Sequence, residues 1–418
     1  MSHAASQLEL SSSGDVIVQL TWDIHAEPSV DLQAVIVDNR GRIIDAACYC
    51  NSKAYSGRGV THIDSARGRE DVLVKLAELP AAVHMILFLV CRFRGGALQE
   101  SCAAVVLEHV EGSKAQVLLH GDLNSCCGAV RASSVLVAAL VRGALIGRWR
   151  LRAVWDPLPS ARHFMDCLGD LHRHVLAEVP SSPLKQQVAM ILGKGGVLEL
   201  SLMHQSIRLG FGCFAEHCKA DLDAILVLVD DAGEVLEAVF GRDRGSSGPH
   251  SRPGAVRLEG RVARSPDATS GDCMMALVNF EMIGQAVRDI FCFVSAYTRT
   301  LGARKTLADI GTPFCRLVED APDGAELCRF LHNAKCGSPT DDAGLLIARL
   351  RRGHGGRWGF HALGALVHGH EYEDALPDIR SLSQVEPRTW QDLASAQSTA
   401  STTLEPHAPA EPCSCCVS

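Results

Sequence analysis

The chain has 418 residues, of which 47% are hydrophobic and 21% charged, and its formal net charge is −8. This length exceeds that of one ordinary hydrophobic core, so two domains are expected. The acidic balance offers no general basic face for phosphate groups, and we expect no nucleic-acid partner.

Cysteine usage and the absence of apolar spans indicate a cytoplasmic protein. No window reaches about 18 uninterrupted apolar residues, so no transmembrane helix is predicted. The first residues, M-S-H-A-A-S-Q-L-E-L, lack the pattern of a secretory signal. The 17 cysteines are scattered without zinc-type spacing. They are predicted to be reduced and mostly buried thiols.

Short strands dominate the first part of the chain. An acidic edge opens the strand D-L-Q-A-V-I-V-D from Asp31, and a polar loop is expected from Asn51 to Arg69. The run M-I-L-F-L-V-C, Met85–Cys91, has the length and apolarity of a central strand covered on both faces. Many short strands with glycine-rich turns favour a β-sandwich over alternating strands and helices. The sequence therefore predicts a sandwich domain over residues 8–156.

A different pattern follows at residues 157–194. Between Ala161 and Val179, apolar residues recur at helical spacing, which predicts an amphipathic helix. The segment P-S-S-P from Pro180 then ends it. We interpret these residues as a helical linker between two domains.

The second half repeats the landmarks of the first in the same order. The strand D-L-D-A-I-L-V-L-V from Asp221 corresponds to the strand from Asp31. V-R-D-I-F-C-F-V-S, Val287–Ser295, corresponds to Val83–Cys91, and R-R-G-H-G-G-R-W ends at Trp358 as G-R-W ends at Trp149. This order predicts a duplicated domain over residues 195–378. Residues 379–418, rich in Ser, Thr, Ala, Pro and Gln, are predicted to be a disordered tail.

These motifs resemble the TerD family of tellurium-resistance proteins. The resemblance rests on K-G-G at Lys194–Gly196, D-L-D-A at Asp221–Ala224 and R-R-G-H-G-G-R-W at Arg351–Trp358, with weaker counterparts in the first half. It implies a mainly β protein with two tandem TerD-like β-sandwich domains. It further implies calcium bound in acidic loops, a role in stress response, and no established catalytic activity.

The acidic residues at strand ends are the candidate Ca²⁺ ligands. Asp221 and Asp223 lie on one side of their strand, because side chains alternate along a strand, and Ca²⁺ takes 6–8 oxygens. In the family the partner loop ends in a run of carboxylates; here it offers Asp267 and Asp272. The first half retains Asp31, Asp64, Glu70 and Asp71, with Gln33 in place of the second strand carboxylate. Both sites have fewer carboxylates than the family pattern, and the site of the first half has lost one from the strand itself. The alternative is that these acidic side chains are only solvated residues at strand ends and turns.

The last residues suggest lipid attachment. Cys415-Cys416-Val417-Ser418 fits a C-a-a-X motif that favours a farnesyl group on Cys415, and Cys413 is a candidate for palmitate. Two lipids together anchor a protein stably to a membrane. Attachment to the cytoplasmic face of a membrane is therefore expected. The alternative is a cysteine-rich end without a lipid.

We thus predict a non-enzymatic stress-response or signalling adaptor that binds calcium and is tethered by lipid. Two alternatives stay open: a structural interaction module with degenerate metal sites, and a small-molecule or nucleotide-binding domain that uses the arginine-containing loop at 241–271. The local cluster Arg349, Arg351, Arg352 and Arg357 is interpreted as a solvated basic face, with an anion or lipid-headgroup site as the alternative.

Overall fold

The computed structural model describes most of the chain up to residue 384. The described residues are 7–23, 30–49, 51–54, 58–66, 68–92, 97–126, 131–145, 147–158, 161–214, 221–240, 245, 250–261, 272–297, 306–307, 312–321, 324–332, 344–353 and 356–384. Of residues 7, 64–66, 99, 126, 214, 221, 260, 261 and 297 only the backbone is described.

Strands dominate the first half, followed by a helix. The elements are β1 Gln7–Ser11, β2 Asp15–Thr21, β3 Val30–Asp38, β4 Ile43–Ala47, β5 Lys53–Ala54, β6 Val60–Ala66, β7 Arg69–Lys75, β8 Val83–Arg92, β9 Ala104–Glu111, β10 Lys114–Asp122, α1 Leu123–Cys126, β11 Ser134–Arg142, β12 Arg148–Leu158 and α2 Leu168–Glu178. Short 3₁₀ turns occur at Leu98–Ser101 and Phe164–Asp166.

The second half repeats this succession. Its elements are β13 Met190–Leu192, β14 Val197–Glu199, β15 Ser206–Phe214, β16 Asp221–Val229, β17 Val235–Phe240, β18 Val256–Arg261, β19 Asp272–Asn279, β20 Asp289–Tyr297, β21 Thr312–Glu319, β22 Glu326–Leu331, β23 Gly344–Arg352, β24 Trp358–Val367 and α3 Leu376–Gln384. Further 3₁₀ turns lie at Phe280–Met282 and Tyr372–Ala375.

The strand orders confirm the predicted duplication. Sheet 1 has the order β1-β12-β11-β8-β3-β4, and sheet 4 has the order β14-β24-β23-β20-β16-β17. Sheet 2, β10-β9-β2-β7-β6-β5, corresponds to sheet 3, β13-β22-β21-β15-β19-β18, except that β5 and β13 are edge strands without a counterpart. The prediction of a mainly β protein with two tandem sandwiches is therefore correct.

Sheet 1 is covered on both faces. Leu32 and Phe88 belong to the apolar core between sheets 1 and 2. Val35 and Leu87 instead belong to a second apolar cluster that includes α2 and the interior of the second half. This two-sided cover explains why every residue of β3 is buried. The two sandwiches thus share one continuous apolar cluster.

Each sandwich is followed by a helix that packs on it. Leu171 and Val175 of α2 belong to the cluster on the outer face of sheet 1. Ile379 of α3 packs with Phe291 and Phe293 on the outer face of sheet 4. Residues 379–384 are therefore helical, and the prediction of a disordered tail beginning at 379 is wrong for them. Residues 385–418, which include Cys413 and Cys415, lie outside the described part.

The segment predicted as a linker also contributes to a sheet. Ile43 of β4 donates its N–H to the Gln187 carbonyl over 2.8 Å and accepts from the Ala189 N–H over 2.7 Å. β13 then pairs in parallel with β22 of the second half. These backbone bonds extend from the edge of sheet 1 to the edge of sheet 3, so residues 187–192 connect both halves.

The arginines interpreted as a solvated basic face are largely buried, so that interpretation is wrong. Arg349 donates to the Leu382 carbonyl over 2.6 Å, and Arg351 donates to the Ser383 carbonyl over 2.9 Å. Cations near the last carbonyls of a helix are stabilising, because these groups carry partial negative charge. The two guanidinium groups therefore hold the C-terminal end of α3.

No helix in the described residues is long and apolar enough to cross a membrane. Of the nine cysteines whose side chains are described, seven are buried, and none of the nine forms a disulfide.

The packing of α3 generates a stability prediction. Ile379 is 0% exposed, so Ile379→Ala leaves a cavity and lowers the free energy of unfolding by about 2–5 kcal/mol. Ile191→Ala is the matched control, because Ile191 is 66% exposed and its loss costs about 0.5 kcal/mol or less. Urea denaturation of both variants measures the difference; equal destabilisation would contradict the packing of α3.

Candidate functional site

Three buried side chains from three strands meet in the first half. Asp31 lies at the beginning of β3, His62 on β6 and Glu70 on β7. Their exposed fractions are 1%, 5% and 2%, respectively. One potential ligand atom of each residue lies within 4.8 Å of the others. We refer to these residues as the DHE cluster.

Strand alternation brings two members of the DHE cluster together. His62 is two residues from Val60 on β6, and Glu70 is two residues from Val72 on β7, so each points to the same face as its valine. Both valines belong to the core of the first sandwich. β6 and β7 are antiparallel, with His62 opposite Val72. His62 and Glu70 are therefore diagonal neighbours on the inward face, a separation that long side chains can span.

The distances in the DHE cluster are longer than strong hydrogen bonds. His62 Nε2 lies 3.4 Å from Glu70 Oε2 and 3.8 Å from Asp31 Oδ1. Charge-assisted N–H···O bonds are typically about 2.7–2.9 Å long. One imidazole nitrogen therefore faces two carboxylates without a short bond to either.

Neighbouring donors hold the two carboxylates in place. Gln33 Nε2 donates to Asp31 Oδ2 over 2.6 Å, and the Leu32 N–H donates to Glu70 Oε2 over 2.8 Å. The Tyr49 N–H lies 3.4 Å from Asp31 Oδ1. Gln33, at the position of the second strand carboxylate, also accepts from the Phe164 N–H over 2.9 Å. It therefore ties Asp31 to the turn before α2.

The electrostatics of the DHE cluster disfavour two bare carboxylates. Burial, followed by the charge of Glu70, raises the pKa of the Asp31 carboxyl to about 8, whereas His62 opposes this shift. Among the described residues, His62 is the only basic side chain within ion-pair distance of Asp31 or Glu70. A proton or a bound cation is needed to balance the site.

The other predicted ligands of the first half do not join this cluster in the described structure. Asp71 follows Glu70 on β7, and adjacent side chains of a strand point to opposite faces. Asp71 therefore points away from the DHE cluster and forms an ion pair with Arg69 over 2.9 Å. Asp64 is opposite Glu70 in the β6–β7 register, but its side chain lies outside the described part.

The predicted ligands of the second half are not brought together in the described structure. The Asp272 carboxylate accepts from Arg316 Nε over 3.0 Å and from Nη2 at close range. Asp223 Oδ1 accepts from the Ala224 N–H over 3.1 Å. Asp267 and the side chain of Asp221 lie outside the described residues. The predicted site of the second half, which includes Asp267 and Asp221, therefore stays a prediction, whereas in the first half the described residues include a cluster of potential ligands.

The donor set of the described residues does not fit calcium. Ca²⁺ prefers six to eight oxygen ligands, whereas the DHE cluster brings together two carboxylates and one imidazole nitrogen. In the second half, Arg316 already neutralises Asp272. Imidazole with carboxylates is instead a ligand set of zinc and related divalent metals.

His62 was not among the predicted ligands, although its surroundings carry a signal. The prediction of a polar loop from Asn51 to Arg69 is wrong for β6, Val60–Ala66, where V-T-H-I-D at 60–64 alternates as a strand does. As a strand, it directs His62 toward the same side as Val60. The proximity of His62 to Asp31 depends on the contact between two sheets, which spacing along the chain does not show.

A polar contact between the two halves lies beside the DHE cluster. The Tyr49 hydroxyl donates to Glu199 of β14. Burial raises the pKa of the Glu199 carboxyl to about 7, and Arg357 opposes this shift. Arg357 in turn forms two hydrogen bonds with the Asp166 carboxylate, over 3.0 and 2.8 Å. This network connects β14 and the residue before β24 with the turn before α2.

The comparison with protein families gives a match in the second half. Residues 188–371 match the family model of the TerD domain. The chain is also 29% identical over 170 residues to the tellurium resistance protein TerZ of Serratia marcescens; this alignment covers 41% of the chain and 78% of that protein.

Two solved structures were also found by structural comparison. One is a homologue of the telluride resistance protein TerD from Streptomyces coelicolor A3(2), with 13% identity, a TM-score of 0.31, and coverage of 41% of this chain and 95% of that chain. The other is a protein of unknown function, with 15% identity, a TM-score of 0.31, and coverage of 44% of this chain and 98% of that chain.

The turn before α2 generates a pH prediction. Burial, and then the charge of Arg357, lowers the pKa of His163 to about 3, against an ordinary value of 6.5. As the pH falls below about 6.5, the unfolded chain therefore binds a proton that the folded chain does not, and stability is lost. Asn at this position keeps an acceptor for the Met165 N–H.

Between pH 7 and 5, the native chain is expected to lose about 1–2 kcal/mol more stability than His163→Asn. Urea denaturation at pH 7, 6 and 5 measures this difference. Other titrating groups are common to both proteins and cancel in the comparison. Parallel stability profiles would show that His163 is not buried as a neutral side chain.

Proposed function

We propose that this TerD-like stress protein, whose residues 188–371 form a TerD domain, acts as an adaptor. The proposed adaptor is not an enzyme. Its first half binds a divalent cation at the DHE cluster, and lipids on its cysteine-rich C-terminal sequence attach it to the cytoplasmic face of a membrane. The observation that carries the cation proposal is the meeting of Asp31, His62 and Glu70 in the interior.

The energetic argument for a cation is the cost of the buried carboxylates. An ionised carboxylate buried without a compensating charge is strongly unfavourable. Within the described structure, one imidazole faces both carboxylates of the DHE cluster. A divalent cation would balance the two negative charges at once. Calcium, which the family resemblance implies, is one of the cations that must be tested.

The burial of the DHE cluster supports an adaptor rather than an enzyme. All three side chains are at most 5% exposed, so a substrate would not reach an ion held there. A cation in such a position would tie β3 to β6 and β7 and stabilise the edge of the first sandwich. Cation binding would then act by changing the shape or stability of the protein surface.

The alternatives have uneven support. The module with degenerate metal sites is favoured by Asp272, because Arg316 occupies its carboxylate in the second half. The small-molecule or nucleotide site was predicted on the loop at 241–271, most of which lies outside the described residues. We therefore propose one cation site, in the first half.

Cation binding predicts a rise in stability. After removal of bound metals with a chelator, the full-length protein is melted with Ca²⁺, Mg²⁺, Mn²⁺ or Zn²⁺. A cation at 100 times its dissociation constant stabilises the folded state by about 2.7 kcal/mol. Glu70→Gln should abolish the shift.

Asp71→Asn is the matched control, because Asp71 is the adjacent carboxylate on β7 and pairs with Arg69 instead. This variant should keep the cation-dependent shift. If no cation raises the melting temperature of the native protein, the cation proposal is wrong. An equal loss of the shift in both variants would also count against the DHE cluster.

Lipid attachment predicts membrane association that depends on Cys415. In cells, Cys415→Ser should move the protein from the membrane fraction to the soluble fraction, and Cys413→Ser should weaken the association, since two lipids anchor stably and one does so marginally. Cys102→Ser is the control, because Cys102 is an exposed cysteine in the first half. Membrane association that survives Cys415→Ser would refute the prenyl proposal.

A further inference from the structure

We infer that the DHE cluster is a site for zinc or a similar borderline divalent cation rather than for calcium, with His62 as the residue that sets this preference. This inference deepens the cation-binding function proposed above and rests on it. It assigns His62 Nε2, Glu70 Oε2 and Asp31 Oδ1 as three ligand atoms of one ion.

The distances between the ligand atoms match a small tetrahedral ion. Zinc binds imidazole nitrogen at about 2.0–2.1 Å and carboxylate oxygen at about 2.0–2.2 Å, so two ligand atoms of a tetrahedral site lie roughly 3.3–3.5 Å apart. His62 Nε2 is 3.4 Å from Glu70 Oε2 and 3.8 Å from Asp31 Oδ1. A contraction of a few tenths of an ångström completes two edges of the tetrahedron.

Without a metal, the DHE cluster contains one long hydrogen bond, of 3.4 Å, between His62 Nε2 and Glu70 Oε2. An imidazolium between two carboxylates forms short charge-assisted bonds, of about 2.7–2.9 Å. Here a single nitrogen faces both oxygens at longer range. Because that nitrogen can donate one proton at most, it cannot serve both carboxylates well. A cation between the three atoms serves all of them.

The chemistry of the donors selects the class of ion. Imidazole suits zinc, copper, iron and nickel, whereas calcium and magnesium prefer oxygen. The DHE cluster supplies one nitrogen and two carboxylate oxygens, and the carboxylates neutralise a doubly charged ion. Gln33 and the Leu32 N–H orient these carboxylates, as outer partners do in zinc sites.

The cysteines of the chain do not contribute to this site in the described structure, where the cluster contains only Asp, His and Glu. This distinction matters because thiolates also bind zinc. Cobalt(II) distinguishes the two cases: it occupies zinc sites, and thiolate ligands add an intense charge-transfer band that nitrogen and oxygen ligands do not give.

The test is a comparison of Zn²⁺ and Ca²⁺ binding to the metal-free, full-length protein by calorimetry under reducing conditions. Half-saturation with Zn²⁺ is expected at a concentration at least 100-fold lower than with Ca²⁺. His62→Gln should weaken Zn²⁺ binding at least 10-fold, and His62→Asp, which adds a carboxylate, should shift the preference toward Ca²⁺. His120→Gln is the matched control, because His120 is exposed on β10 and its loss should change nothing.

Each outcome decides a separate point. Equal or tighter binding of Ca²⁺ by the native protein overturns the zinc inference and leaves the cation-binding function standing. No binding of either ion overturns both. Zn²⁺ binding that His62→Gln does not weaken, or a thiolate band in the Co²⁺ spectrum, assigns the metal to cysteines and also overturns the inference. Because native selectivity needs no variant, the test stands even if a substitution prevents folding.

Discussion

The two-sided burial of sheet 1 is the constraint on which the rest of the structure depends. Its inner face packs on sheet 2, and its outer face lies in the apolar cluster formed with α2 and the second half. Removing this much apolar surface from water favours a single compact body over two sandwiches on a flexible linker. It also places the acidic start of β3 in the interior. The unusual electrostatics of Asp31 follow from this packing.

Polar groups near this junction must find partners because water is excluded. Tyr49 extends from beside Asp31 to Glu199 in the second half, and Arg357 binds Asp166 with two hydrogen bonds. Breaking one partner of such a buried pair leaves an uncompensated charge, which is costly. These contacts therefore add specificity to an interface whose stability comes from apolar burial. They also bring the DHE cluster into electrostatic contact with the second half, since Glu199 contributes to the raised pKa of Asp31.

The sequence predicted those features that repeat or that have a local period. The duplication was evident from ordered landmarks, and the apolar run of β8 correctly indicated a strand covered on both faces. What covers that strand was not predictable, because α2 carries only the ordinary pattern of an amphipathic helix. Likewise, Arg349 and Arg351 looked like a solvated patch. Their burial depends on α3, whose end they bind and which belongs to a region of otherwise polar composition.

The two halves differ in how they balance a similar set of strand-end carboxylates. In the second half, Arg316 contacts both Asp272 and Glu326, so a fixed guanidinium supplies the positive charge. In the first half, His62 is the only basic partner of Asp31 and Glu70 among the described residues. A guanidinium is always charged, whereas an imidazole is a weak and switchable partner. The second copy of the duplicated fold therefore carries its own permanent counter-charge, while the first has a single imidazole beside two buried carboxyl groups. The ion pair in the second copy is therefore compatible with the cation-binding role that we propose for the first.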